Sequence, residues 1–205
     1  MDNKSYLNQI SAENRPVKKS KASNILSSPF TKILAIGIVV LIAIVIVGAI
    51  LGNNKDNTKN KTIALGLHTK NLITTINYYQ PSIKSSILRS SSAALSTILN
   101  STKSAIDTYL TNKYELKEKD IEQKIVDSEN ALFVELDNSL IEAKINGLLD
   151  RTYARQMAYE ISVVMNRESE IYKTIKDENL KTSLSSSYDS LGQLYDSFDS
   201  FSESK

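Results

Sequence analysis

Chemistry in this chain would begin at His68, set in the stretch LGLHTKNL. It is the single histidine of 205 residues, and there is no cysteine. A multi-histidine metal site is therefore excluded within one chain, as are thiolate ligands and disulfides. Positions i+3 and i+4 from His68 are Asn71 and Leu72, so no acid follows it on its own helical face. The residue reads as a surface or hydrogen-bond-satisfied histidine, not as a ligand.

Carboxylates are numerous but show no catalytic pattern. Di-iron bundles place Glu-x-x-His on two helices, and neither copy occurs here. Glu160, Glu168 and Glu170 share a segment with Arg151, Arg155 and Arg167, which reads as a solvated ion-pair face. The phosphate-loop, dinucleotide and nucleophile-elbow signatures are all missing. The sequence points away from an enzyme and suggests no catalytic residue, metal or cofactor.

Charge is distributed by region. Residues 1–32 carry six Lys or Arg against two acids, and residues 53–119 carry ten against four. Residues 120–205 reverse this, with nine bases against seventeen acids. Complementary faces between the two halves are expected. An acidic distal half argues against nucleic acid as a partner. The basic half next to the apolar run could instead meet anionic lipid headgroups. Asn60-Lys61-Thr62 and Asn100-Ser101-Thr102 match the glycosylation sequon, a short pattern that arises by chance in an Asn- and Ser-rich chain.

These residues need elements to hold them. Residues 33–52 read ILAIGIVVLIAIVIVGAILG, twenty positions without a charge. As a helix this run would be about 30 Å long, the thickness of a hydrocarbon core. A transmembrane helix is expected, with the lipid bilayer as partner. Val47-Gly48-Ala49 offers a small-x-small cleavage site, but Ile50 and Leu51 continue the apolar run, and 32 residues make a long n-region. The anchor is therefore read as uncleaved. Gly48 and Gly52 form a GxxxG pair, a candidate homodimer contact. Arg15, Lys18, Lys19, Lys21 and Lys32 precede the run, and Lys55, Lys59, Lys61 and Lys70 follow it. Their clustering before the run favours a cytoplasmic N-terminus and an extracytoplasmic C-terminal part.

Residues 1–32 are too polar to fold alone and read as a disordered basic tail. Residues 53–62 read as a linker or a solvated helix continuation. From residue 63 to 205, apolar positions recur at steps of three and four. Five stripes follow. The first takes Leu65, Leu72, Ile76 and Tyr79, and the second Ile83, Ile87, Ala94, Ile98, Ala105 and Tyr109. The third takes Ile121, Ile125, Leu132, Leu136, Leu140, Ala143 and Gly147. The fourth takes Tyr153, Met157, Ile161, Val164, Ile171 and Ile175. The last takes Leu180, Leu184, Tyr188, Leu191, Tyr195, Phe198 and Phe201. Pro81 suits the first turn of a new helix. Asp120 with Gln123, then Asp150 and Asp177, are expected N-caps, and Asn146-Gly147 an expected C-terminal stop. The fold class is all-α: a single transmembrane helix followed by an antiparallel bundle of four or five helices. Residues 120–176 could alternatively form one long helix.

The run KYELKEKDIEQKIVDSENALFVELDNSLIEAKINGLLDRTYARQMAYEISVVMNRESEIY, followed by SSSYDSLGQLYDSFDSF, resembles small uncharacterised single-pass proteins of candidate-phylum bacteria such as the Saccharibacteria. The resemblance implies a bacterial cell membrane and an anchored helical domain. It carries no activity or site residues. The expected function is non-enzymatic: binding a partner protein or envelope component, or scaffolding. The rivals are an extracytoplasmic sensor domain whose short tail docks a separate output protein, and an enzyme.

Overall fold

The computed structural model describes residues 57–203. The tail 1–32, the apolar run 33–52 and the pair Gly48 and Gly52 lie outside the described residues. No helix among the described residues is long and apolar enough to cross a membrane.

Five α-helices occupy the described chain, without strands: α1 (Asn57–Tyr79), α2 (Ser86–Tyr114), α3 (Gln123–Ile145), α4 (Leu149–Thr174) and α5 (Glu178–Glu203). Short 3-10 turns at Gln80–Ser82 and Glu118–Asp120 join the first three. The break at 146–148 divides 120–176 into separate helices. Of the segment expected as a linker or a solvated helix continuation, residues 57–62 are helical, in α1, but Asn60 and Thr62 are buried and not solvated.

Four helices close a ring, in which α1 packs on α2, α2 on α5, α5 on α4 and α4 back on α1. Helix α3 lies outside this ring, in the groove between α1 and α4. Leu65, Leu72, Ile76, Leu95, Leu99, Ile106, Met157, Ile161, Val164, Leu191 and Phe198 fill the interior. Each large aliphatic buried there contributes roughly 1.5–3 kcal/mol. The α1–α2 approach is close: a Cβ on Gly66 would stand 3.1 Å from Ile106 Cγ2.

The inward face of α2 differs from the expected stripe. It is built from Leu88, Ser92, Leu95, Leu99, Thr102, Ile106, Tyr109 and Leu110. Ile87 is 65% exposed and Ala94 is also exposed. Two buried hydroxyls break the apolar pattern that would have revealed the face. Ser92 donates to Leu88 O (2.7 Å) and Thr102 to Ile98 O (3.1 Å), so neither needs water. In addition, Tyr153 donates to Ser92 Oγ (3.0 Å) across the core, and Thr102 shares its proton with Ser187 Oγ (2.8 Å).

The caps also divide. Asp177 accepts from Leu180 N (2.8 Å), as expected. Gly147 ends α3 at φ 72, and Leu148 N donates back to Ala143 O (2.8 Å). Asp120 does not cap α3; its carboxylate serves Lys117 N within the preceding 3-10 turn. Nor does Asp150 cap α4. It reaches across to Lys84 N (3.0 Å) and Ser85 N (2.7 Å), fixing the entry to α2. Ser85 itself caps α2 by accepting from Leu88 N.

Candidate functional site: two buried carboxylate seams

The groove that receives α3 contains an ion cluster. His68 projects from the core face of α1, between Leu65 and Leu72 on that face, and is 1% exposed. Its Nδ1 donates to Glu129 Oε2 of α3 at 3.2 Å. Its Nε2 lies 2.9 Å from Glu160 Oε2 of α4. The first contact is a hydrogen bond; the second is a charge contact whose angles do not make it one. Arg167, two turns beyond Glu160 on α4, donates to Glu129 Oε1 (2.8 Å) and approaches Ala64 O (3.4 Å). The Phe133 ring meets the imidazole edge-on at 5.0 Å.

Two carboxylates, one guanidinium and a protonated imidazole sum to zero charge, which permits burial. Burial and the Arg167 charge both push the His68 pKa down, but Glu129 and Glu160 outweigh them and hold it above 6.5. Burial pushes Glu129 up, and His68 with Arg167 more than reverse this, leaving it below the ordinary value. Beside the cluster, the Tyr159 hydroxyl is buried without a hydrogen-bond partner among the described residues. Burial first, and then Glu160, push its pKa to about 12.

With both ring nitrogens facing carboxylates, His68 offers no free lone pair for proton abstraction or metal ligation. The cluster therefore fastens α3 to the ring. No group of three His, Asp or Glu side chains disposed to hold a metal occurs among the described residues.

A second seam runs between α2, α4 and α5. Here Glu168 is 1% exposed and has no ion pair among the described residues; the Ser187 hydroxyl is the polar group facing its carboxyl. Burial pushes its pKa to about 8; the Ser187 hydroxyl favours the ionised form but offsets only part of that. A cleft of about 180 Å³ opens along this seam, lined by Glu168, Ser169 and Tyr172 of α4 and by Leu184, Ser185 and Tyr188 of α5.

The expected solvated ion-pair face on α4 is corrected by these positions. Glu160 and Glu168 are buried, and Arg167 is turned inward to Glu129. Glu170 keeps the expected role, pairing with Lys61 at 2.9 Å near the surface, and Arg151 and Arg155 are exposed. His68 is hydrogen-bonded through Nδ1 alone, to an acid distant in sequence, while its Nε2 faces Glu160 as a charge contact. Glu129 was not singled out, although a signal existed: it stands on the inward face of α3 with Ile125, Phe133 and Leu136. No family model, curated protein or solved structure matches this chain.

Proposed function

We propose that the chain is a single-pass, membrane-anchored helical bundle of a bacterial envelope, extracytoplasmic and non-enzymatic, that binds a partner protein. The uncharged run 33–52 supports the anchor. The observation that carries the binding role is a second apolar stripe on α3. Val134, Ile141 and Ile145 lie at spacings of seven and four and are 57, 48 and 79% exposed. Leu148, just past the helix, extends the line at 58%. The stripe faces away from the side that buries Ile125, Phe133, Leu136 and Leu140. A peripheral helix with apolar residues on both faces is suited to receiving another helix.

Crosslinking in intact cells, followed by recovery of the full chain, tests the reading. Wild-type protein is expected to recover a defined partner that an Ile141→Asp/Ile145→Asp variant loses. Equal recovery by both would overturn the assignment of the stripe. Protease digestion of intact cells tests the orientation: residues 60–205 should be cut, and protection would reverse it. A second reading, a ligand-sensing bundle, is favoured by one observation, the buried Glu168 that has no ion pair among the described residues and lines a cleft.

A further inference from the structure

A buried carboxyl with a single hydroxyl facing it and no counter-charge is costly, because it has given up more water contacts than that hydroxyl replaces. The cleft at Glu168 supplies what would compensate it. Leu184 gives an apolar wall, Tyr172 and Tyr188 are 45 and 42% exposed at its rim, and Ser169 and Ser185 add hydroxyls. Tyrosine faces attract cations. Tyr172 already does so, with Lys181 Nζ 5.7 Å from its ring centroid. We propose that this α4–α5 cleft binds a small primary alkylammonium ion, with Glu168 as counter-ion and Tyr172 and Tyr188 as aromatic walls.

The chemistry selects this ligand class. An ammonium head brings three N–H donors, enough to satisfy both oxygens of Glu168. Its alkyl part matches Leu184 and the ring edges. An anion would meet a carboxyl without a donor of its own once ionised, and a neutral alcohol would leave the charge uncompensated. The other polar groups facing Glu168 are Ser187 of α5 and, through it, Thr102 of α2. The charged neighbours of the cleft are Lys181 and Glu178, paired at 3.4 Å on α5.

Binding is an exchange of one cation for another. The carboxyl, protonated at neutral pH, releases its proton to solvent as the ammonium enters, and the net charge of the cleft stays at zero. Affinity should therefore rise about tenfold per pH unit below pH 8 and level off above it.

Titration calorimetry of the full-length chain in mild detergent tests this, with n-butylammonium chloride as the probe. The expected result is binding with close to one proton released at pH 6.5, read from buffers of different ionisation enthalpy. 1-Butanol should not bind, and tetramethylammonium, lacking N–H donors, should bind at least threefold more weakly. Glu168→Gln should lose at least tenfold in affinity together with the proton release. Tyr188→Ala should lose a few-fold and keep the release. The proton count on the unaltered protein stands even if Glu168→Gln does not fold. Butylammonium binding no better than butanol, binding without proton release at pH 6.5, or equal binding by tetramethylammonium would each overturn the proposal.

Discussion

Glu129 and Glu168 each stand in a buried seam of the same bundle, yet they carry opposite protonation states. Both stand on inward helix faces, and both are almost fully buried. Glu129 meets His68 and Arg167 and is held ionised. Glu168 meets one serine hydroxyl and is held neutral at pH 7. Burial alone does not decide the charge of an interior acid; the partners do. The first seam resembles a closed circuit, and the second is open at one end.

Alkaline pH should break the comparison most strongly. The folded pKa of Glu168 is raised to about 8 from 4.5. Its contribution is full below 4.5 and is lost as pH climbs through about 8. The loss amounts to roughly 5 kcal/mol at one pKa unit per 1.4 kcal/mol. Urea unfolding of wild type and Glu168→Gln at pH 5 and pH 9 should show the variant gaining on wild type as pH rises. A constant difference between them would refute the neutral-acid assignment.

Next in size is Glu129→Gln, which removes the carboxylate shared by His68 and Arg167. Leaving Arg167 and the imidazolium without it should cost roughly 3–5 kcal/mol at pH 6, read as a drop in the urea midpoint. A loss below 1 kcal/mol would mean that water reaches the cluster.

The His68 effect sharpens the contrast by direction. Its raised pKa means that its contribution is fully present below 6.5 and is lost as pH rises through the folded value. Glu129, lowered, contributes fully above 4.5 and loses that as pH falls through its folded value. His68→Gln should therefore be most damaging between about pH 4.5 and 6.5 and less so at pH 9. The smallest effect is that of Ser187→Ala, about 1 kcal/mol or less. It should move the Glu168 titration further upward, measurable by NMR of the carboxyl carbon.

Much of the architecture was legible in the sequence. The helical periods, the stop at Gly147 and the cap at Asp177 depend on local chemistry within four residues. The inward face of α2 was hidden because Ser92 and Thr102 look like surface residues while bonding their own helix. Asp120 and Asp150 have the right type for caps but are used by other backbone groups. The seams were harder to read. Glutamate has a strong surface prior, and Glu129 finds His68 across 61 positions of chain. A charged residue in core register is a usable signal only when its remote partner is known.

The placement of α3 outside the four-helix ring has a dynamic consequence. The ring closes through contacts that do not involve α3, whereas α3 packs chiefly on α1 and α4 among the described residues. Its amides should therefore report a separate, lower-energy opening than those of α4 or α5. Native-state hydrogen exchange should show residues 123–145 exchanging ahead of the ring helices. That lead should widen in Glu129→Gln, as expected of a strap released from its buckle.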